Sequence, residues 1–314
     1  VGQQARQQFF GYVVFLGVHC AYGQAGLRRR WIVRLHKILH TLGPEPKADT
    51  ATGGIMNTTV FIAWRGGSAE RGAWSPVAKL EHADGEYRFA YTHGALTLPG
   101  FHPFPGMDDL RTVYRSRTLF PLLANRLLSR SRPEYEAWLT WSGFDPKSPP
   151  TPLAVLGVTE GIRQTDALEV FPQPVADAQG RYSDRFFLHG LRHAGAPAHE
   201  RLATLRAQDV LRLELEDDNA HDPHAVAVLD DGVQRLRLGY VPRYLARDVR
   251  ALATRGGVQS IDLRVARVNH GAPLQMRVLC LLRAPWPHGF APCTGAEFQP
   301  LAEVAEAPQL AHAT

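Results

Sequence analysis

The chain has 314 residues, of which 45% are hydrophobic, and its formal net charge at pH 7 is +5. This length favours two compact domains, and the sequence lacks the apolar run of about 18 to 20 residues that a membrane protein needs. Residues 1–55 hold seven Lys or Arg and two acidic residues, whereas residues 56–314 hold 28 of each. Because the excess charge lies in the first segment, the remainder is not expected to bind nucleic acid as a general polycation.

The cysteines indicate the compartment. Cys20, Cys280 and Cys293 form no CxxC pair, and their spacing fits neither a disulfide framework nor a zinc site. We therefore predict a reducing cytoplasm, with no metal, no cofactor and no membrane partner.

The first segment reads as an extension. It ends in Pro44-Glu45-Pro46 and a small, polar run, which is typical of a linker. We expect residues 1–55 to be disordered, or to be upstream sequence wrongly translated ahead of a start at Met56.

Residues 56–175 are predicted to form an N-terminal mixed α+β domain. Hairpin turns at Gly66-Gly67 and Asp84-Gly85 separate three β-rich segments, 58–65, 74–80 and 87–92. Helix signals predict three helices, which begin near Leu110, Pro121 and Ser131. Residues 153–174 are expected to be a connector with one short strand at 167–171.

An arginine-rich stretch lies within the predicted helices. Residues 111–132 contain six arginines and no acid. We predict a possible second phosphate-binding face formed by Arg126, Arg130 and Arg132. The alternative is a solvated helix surface whose arginines pair with nearby acids.

Residues 182–284 are predicted to form a second domain. Alternating segments predict strands at 210–216, 224–229, 234–241, 261–268 and 276–282, with a helix at 243–255 that Gly256-Gly257 ends. This pattern indicates a small β-barrel of OB or SH3-like size. The fold class is therefore α+β, and residues 285–314, rich in Ala and Pro, are expected to be a disordered tail.

Two strings in the second domain carry a specific motif, LELEDDNAHDPHAVAV at 213–228 and LGYVPR at 238–243. They resemble the HIRAN family, whose hallmark is an acidic strand end, an Asn-Pro-x-Asp-x-x-Ala-(Ile/Val)-x-Val run and a Gly-(His/Tyr)-(Ile/Val/Leu)-Pro-(Arg/Lys) run. The matching residues are Glu216, Asn219, Asp222, Pro223, Ala225, Val226, Val228, Gly239, Tyr240, Pro242 and Arg243. The resemblance implies an OB-like fold that binds nucleic acid, with the 3′ end of single-stranded DNA as the expected target.

The same resemblance implies a set of binding residues: Arg192, His193, Asn219, His221, Asp222, Tyr240 and Arg243. It also implies that residues 190–193 (GLRH) form a strand that carries Arg192 and His193. The resemblance implies that Asp222 faces the terminal 3′ hydroxyl. It also implies that Tyr240 and Arg243 occupy the positions of a phosphate-contacting His and Lys in a relative. His193 and His221 replace tyrosines that sandwich the last base, so stacking should be weaker and sensitive to pH. Read without the family, Asn219 and Asp222 could instead serve only to build an Asx turn.

Signatures of catalysis are missing from the sequence, which has no Walker A loop, GxSxG elbow or HExxH motif, so we do not expect an enzyme. We expect a DNA-binding protein of DNA repair or processing, with a helicase or nuclease as a possible protein partner. The composition favours a bacterial source. A protein-interaction module and a metal-dependent hydrolase that uses Asp217, Asp218 and Asp222 remain the alternatives. The N-terminal domain is weakly similar to the N-terminal subdomain of HipA-type kinases, through LFPLLANRLL and GEYRFAYT.

Overall fold

The structure, a computed structural model, describes residues 59–65, 74–163 and 165–302. The predictions for residues 1–55 and for residues 303–314 lie outside the described residues. All described residues belong to one compact unit that begins at Gly54.

Five strands of the described chain form an N-terminal sheet: β1 (Thr59–Arg65), β2 (Trp74–Ala83), β3 (Glu86–Tyr91), β4 (Tyr114–Ser116) and β5 (Leu168–Pro172). Neighbouring strands pair antiparallel in the order β4-β3-β2-β1-β5. The strands predicted in this region are confirmed, with small differences at their ends.

The hairpin between β2 and β3 follows the chemistry of its turn. Asp84 and Gly85 have φ of 54° and 73°, so both lie in the left-handed region. A type I′ turn needs this geometry at both central positions, and Asp-Gly is a favoured pair for it. The local sequence therefore sets the register of the hairpin.

The helices of this region are short. They are α1 (Gly94–Thr97), α2 (Pro121–Ala124), α3 (Tyr135–Trp141) and α4 (Pro152–Thr159). The helix predicted from Leu110 is wrong. The Asp109 carboxylate accepts hydrogen bonds from the Arg111 amide at 2.9 Å and the Thr112 hydroxyl at 2.6 Å, and this turn leads into β4.

Helix α4 occupies the first part of the predicted connector. The Thr151 hydroxyl accepts a hydrogen bond from the Ala154 amide at 3.3 Å, and Pro152 occupies the first helical turn, where its missing N–H costs nothing. The proline-rich sequence thus begins a helix here.

Six further strands form a C-terminal sheet: β6 (Arg181–Phe187), β7 (Val210–Leu215), β8 (Val226–Asp230), β9 (Arg237–Tyr240), β10 (Asp262–Val268) and β11 (Val278–Pro285). They pair antiparallel in the order β6-β11-β10-β7-β8-β9. Just beyond β6, His189 forms an antiparallel bridge with Tyr240 of β9. The sheet therefore curls until its two edges meet, which confirms the predicted OB-like barrel within an α+β fold.

Two helices cover the curled sheet, α5 (Ala196–Thr204) and α6 (Arg243–Gly256). Helix α6 matches its prediction and buries Leu245, Val249 and Leu252, which share one face at helical spacing. This helix is placed directly after β9, so its first residue, Arg243, lies beside the end of that strand.

The two sheets share apolar contacts. Phe171 of β5 stacks on Tyr244 of α6, with ring centroids 5.0 Å apart and an interplanar angle of 14°. Phe61 of β1 packs on Phe171 with centroids 5.7 Å apart, and all three residues join one buried core. We therefore keep residues 56–175 and 182–284 as a proposed division into two domains of one packed unit.

The segment after β11 is ordered as far as it is described, so the tail prediction is wrong for residues 285–302. Phe290 is buried against Trp286 and Tyr182, with centroids 5.1 and 6.0 Å away. The amide of Leu301 donates to the Tyr91 carbonyl at 2.8 Å, which attaches this segment to the edge of the N-terminal fold. Aromatic residues in an Ala- and Pro-rich stretch supply the packing that composition alone did not predict.

Candidate nucleic-acid interface

A pocket of about 480 Å³ opens where the edges of the curled sheet meet. Six of the seven predicted binding residues line it: His193, Asn219, His221, Asp222, Tyr240 and Arg243. They come from the turn after β6, the loop between β7 and β8, the end of β9 and the start of α6. The fold therefore brings residues that are as much as 50 positions apart in the sequence into one cavity, from His193 to Arg243.

The loop between β7 and β8 is shaped by its own polar side chains. Oδ1 of Asn219 accepts hydrogen bonds from the amides of His221 and Asp222, both at 3.0 Å. Oδ1 of Asp222 accepts from the His224 amide at 2.9 Å. Asn219 and Asp222 thus do build the Asx turn that was the structural alternative, and they line the pocket as well.

Glu216 organises the wall of the pocket. Its carboxylate accepts hydrogen bonds from the Asn219 amide group at 2.7 Å, Arg237 at 3.1 Å and the Tyr240 hydroxyl at 3.2 Å. Burial works to raise the pKa of Glu216, but the hydrogen bonds from Asn219, Arg237 and Tyr240 outweigh it and lower that pKa. Because the Tyr240 hydroxyl donates to Glu216, this residue offers the pocket its ring more readily than a hydrogen-bond donor.

Arg237 is a pocket residue that the sequence analysis missed. Its guanidinium carbon lies 5.5 Å from the centroid of the Tyr240 ring, a cation–π contact, and it also pairs with Glu216. The signal was present in the sequence, since Arg237 lies three residues before Tyr240 on a short strand, but the family motif begins only at Leu238.

Asp222 and Arg243 form an ion pair in the lining of the pocket. Oδ2 of Asp222 lies 3.5 Å from Nε of Arg243, and both side chains are partly exposed. This contact engages Nε of Arg243, so the terminal nitrogens of its guanidinium group can contact a phosphate.

His193 and Arg192 lie on a 3₁₀ turn, Leu191–His193, and not on the strand implied by the resemblance. Leu191 is buried and holds the turn, while Arg192 and His193 are exposed. Nε of Arg192 donates to Nε2 of His193 at 2.9 Å. Arg192 is the one predicted residue that does not line the pocket, and it lies at its rim beside His193.

The predicted second phosphate face is wrong for Arg126. Its side chain is 1% exposed, and it donates to the Asp166 carboxylate at 2.7 Å and to the Gly161 carbonyl at 2.8 Å. A guanidinium held in this way is unavailable to a ligand. Arg130 and Arg132 are exposed, and their role stays a prediction.

His189 is a further pocket residue that the sequence analysis missed. Nε2 of its imidazole lies 2.9 Å from Oε1 of Glu160, a residue at the end of α4. No local motif marks this pair, because the two residues are 29 positions apart in the sequence, one at the end of α4 and the other just beyond β6.

Two of the three acidic residues proposed for a metal-dependent hydrolase form ion pairs with arginines. Asp217 pairs with Arg250 at 2.6 Å, and Asp222 pairs with Arg243. Within residues 59–65, 74–163 and 165–302, no group of three or more His, Cys, Asp or Glu side chains is arranged to hold a metal ion. In the same part of the chain, no helix is long and apolar enough to cross a membrane.

Comparison with known proteins identifies the second domain. The profile of the HIRAN domain family matches residues 182–285. A search of curated proteins finds no match to the chain. Residues 182–285 therefore form a HIRAN domain, a domain known as a nucleic-acid-binding module.

Two solved structures are also similar to the chain. One is a protein from Lactobacillus plantarum, 23% identical, covering 33% of this chain and 97% of that chain with a TM-score of 0.26. The other is the HIRAN domain of human HLTF, 16% identical, covering 34% of this chain and 80% of that chain with the same TM-score of 0.26. At this level of similarity we assign the domain from the family profile and the sheet topology alone.

Proposed function

We propose that the HIRAN domain binds single-stranded DNA and takes the nucleotide at a 3′ end into its pocket, as part of DNA repair or processing. The observation that carries this proposal is the convergence of His193, Asn219, His221, Asp222 and Arg243 on one cavity. Arg237 and Tyr240, both hydrogen-bonded to Glu216, form the wall of the cavity, and Arg192 lies at its rim.

The size of the cavity favours a single strand. A volume of about 480 Å³ lies in the range of small-ligand sites, which suits one unstacked nucleotide. Aromatic and imidazole side chains can stack on a base whose partner strand is absent. The imidazoles of His193 and His221 are the stacking groups that we propose for the terminal base.

The carboxylate of Asp222 favours a chain end. A carboxylate accepts hydrogen bonds from a sugar hydroxyl, and it repels a phosphate in the same place. One oxygen of Asp222 is held by the His224 amide, and the other lies beside Arg243. A terminal 3′ hydroxyl can donate to this carboxylate while the guanidinium of Arg243 contacts the preceding phosphate.

The charge distribution predicts weak dependence on salt. Residues 56–314 are neutral in formal charge, and the basic groups at the pocket are few: Arg237 and Arg243 line it, and Arg192 lies at its rim. Because each phosphate contact adds to the slope of affinity against salt concentration, binding through so few contacts gives a shallow slope.

The experiment measures binding of the full chain to fluorescent oligonucleotides by anisotropy. The probes are one short thymidine strand with a 3′ hydroxyl, the same strand with a 3′ phosphate, and a blunt duplex, each at several salt concentrations. We expect the 3′ hydroxyl strand to bind most tightly and with a shallow salt slope. Equal affinity for all three probes with a steep slope would reject end recognition, and no binding at all would favour a protein-interaction module that recruits a helicase or nuclease.

A further inference from the structure

We propose that His189 is an additional anion-contacting residue of the pocket and that the buried carboxylate of Glu160, supplied by the N-terminal domain, determines its charge. This inference rests on the proposed function, because the anion it would contact there is a phosphate of the bound strand. It also gives the N-terminal domain a role at the HIRAN pocket.

The backbone places His189 beside the pocket. His189 and Tyr240 exchange both backbone hydrogen bonds, at 3.0 and 2.9 Å, as a directly opposed antiparallel pair. Side chains of such a pair point to the same face of the sheet, with Cβ atoms about 5.5 Å apart or less. His189 lines the pocket together with Tyr240, and 29% of its side-chain surface is exposed.

Glu160 reaches His189 from the opposite side. Its residue is 1% exposed, and its backbone has φ of 58°, a left-handed conformation that is uncommon for a residue with a side chain. Oε1 lies 2.9 Å from Nε2 of His189, whereas Oε2 is buried without a hydrogen-bond partner in the described part of the chain. A buried carboxylate that lacks a cation is costly, so this contact favours the imidazolium form of His189.

Three charged groups face His189 from the elements packed around it. Burial alone lowers the pKa of His189, but the carboxylates of Glu160 and Glu169 outweigh burial and raise that pKa, while Arg65 acts weakly in the opposite direction. Glu169 is 2% exposed and accepts a hydrogen bond from Trp74 at 3.0 Å. Burial and the neighbouring Glu160 raise the pKa of Glu169.

An imidazolium bound in this way has one N–H left. With Nε2 directed at Glu160, the Nδ1–H group is the donor that can serve a ligand. The ion pair is then oriented with its negative end in the protein interior and its positive end toward the pocket. A charge-assisted hydrogen bond from Nδ1 to a phosphate oxygen is the interaction that this geometry offers.

The decisive experiment follows the His189 imidazole by NMR in the full chain, with its resonances assigned by comparison with His189→Gln. We expect its titration midpoint to lie above the ordinary histidine value of about 6.5. Glu160→Gln should move the midpoint downward. Glu214→Gln, an exposed carboxylate on β7 that undergoes the same charge change, should leave the midpoint in place. Inorganic phosphate is the ligand probe in this titration, and we expect it to shift the His189 resonances in the wild type.

Oligonucleotide affinity is measured from pH 6 to pH 9 in the same variants. Wild-type affinity should fall as pH rises through the His189 titration, because the phosphate contact loses its charge. His189→Gln should remove that step and weaken binding about tenfold at pH 7, and Glu160→Gln should shift the step to lower pH. The pocket also contains the imidazoles of His193 and His221. For that reason the difference between the wild type and His189→Gln, and not the total profile, reports on His189.

The outcomes separate this inference from the proposed function. If the wild type binds the strand and Glu160→Gln leaves both the His189 midpoint and the pH profile unchanged, the inference is rejected and DNA binding stands. If no strand binds but phosphate shifts a His189 resonance with a raised midpoint, the inference stands and the proposed function is rejected. Should a variant fail to fold, a wild-type midpoint at or below the ordinary value rejects the inference by itself.

Discussion

Nε of Arg243 lies 3.5 Å from Oδ2 of Asp222, so the group proposed to contact a phosphate is paired with the group proposed to accept a terminal hydroxyl. The pair is partly exposed, and its arginine begins helix α6 directly after the strand that forms the pocket wall. A 3′ end presents a hydroxyl and a phosphate, and this pair offers an acceptor and a donor. The proposed preference for the end of a strand rests on this pair.

Asp222→Asn tests the acceptor. The variant keeps an oxygen that can accept the His224 amide, so the loop should retain its shape. Loss of a charge-assisted hydrogen bond to the 3′ hydroxyl is worth roughly 1.5 to 3 kcal/mol, about tenfold or more in dissociation constant. The penalty against a 3′ phosphate should shrink in the same variant, because the repelling charge is gone. Anisotropy with both strands measures this crossed pattern, and an unchanged ratio between the two strands contradicts it.

The exposed arginines of the N-terminal domain give a second prediction. Replacing Arg130 and Arg132 with Ala should weaken strand binding by about 1 kcal/mol or less per contact if they form a second phosphate track. The free energy of unfolding should stay unchanged, because both side chains are exposed. Unchanged affinity would assign them to a solvated surface.

Arg126→Ala is the matched contrast. This variant leaves the Asp166 carboxylate and the Gly161 carbonyl without their partner, and loss of one member of a buried ion pair typically costs about 3 to 5 kcal/mol. Asp166 is one-third exposed, so we expect the lower end of that range. Urea unfolding measures it, and a stability equal to that of the wild type would contradict the burial of Arg126.

The contribution of Asp184 and Asp248 to the stability of the fold should fall between about pH 4 and pH 7. Burial raises the pKa of Asp184 to about 7, with a further contribution from Asp248, and burial raises the pKa of Asp248 to about 7 as well. Below pH 4 both carboxyls are neutral in the folded and the unfolded chain. As pH rises, the unfolded chain ionises first, so the folded state loses relative stability until pH passes 7.

Asp184→Asn should flatten this pH dependence. We expect the variant to be more stable than the wild type at pH 8, by on the order of 2 kcal/mol after allowance for partial exposure. At pH 4 the two proteins should be nearly equal. Thermal unfolding across this pH range measures the difference, and a wild-type stability that rises from pH 4 to pH 7 in step with the variant would contradict the raised pKa.

The glycine of the motif, Gly239, lies where the backbone of a neighbouring segment approaches closely. A Cβ added there would lie 2.3 Å from the carbonyl oxygen of His189 and 2.9 Å from the Leu188 side chain. Gly239→Ala should therefore separate the two edges of the curled sheet, cost about 3 kcal/mol and weaken strand binding. Gly271→Ala has open space around its Cβ and serves as the control. Comparable stability of the two variants in urea would argue against a close approach at Gly239.

Local patterns predicted the curled sheet well. Alternating segments, the Asp84-Gly85 turn and helix α6 depend on neighbours in the sequence, which a single chain displays. Asn219 and Asp222 both line the pocket because one short loop contains them, while their role in binding stays a prediction. The strand assigned to residues 190–193 was wrong, because a 3₁₀ turn of this length leaves no periodic signal.

Long-range contacts could not be predicted in the same way. Glu160 and His189 are 29 residues apart in the sequence, and neither residue belongs to a motif. The sequence shows Arg126 as one of six arginines in an arginine-rich stretch, which favours a surface position. Its partner Asp166 lies 40 residues further along the chain, so no local pattern indicates their contact. Helix α4 was hidden by prolines that more often end an element than begin one.

The segment after β11 has a consequence for the order in which the protein is made. The amide of Leu301 donates to the carbonyl of Tyr91, and Pro300 forms a bridge with Thr92. The last described residues therefore pair with the end of β3, which lies about 200 residues earlier in the chain. Domains generally fold in the order in which they leave the ribosome. Here the N-terminal sheet cannot acquire its final strand-like partner until the whole HIRAN domain has been synthesised. The N-terminal sheet is thus translated before the HIRAN domain but completed after it.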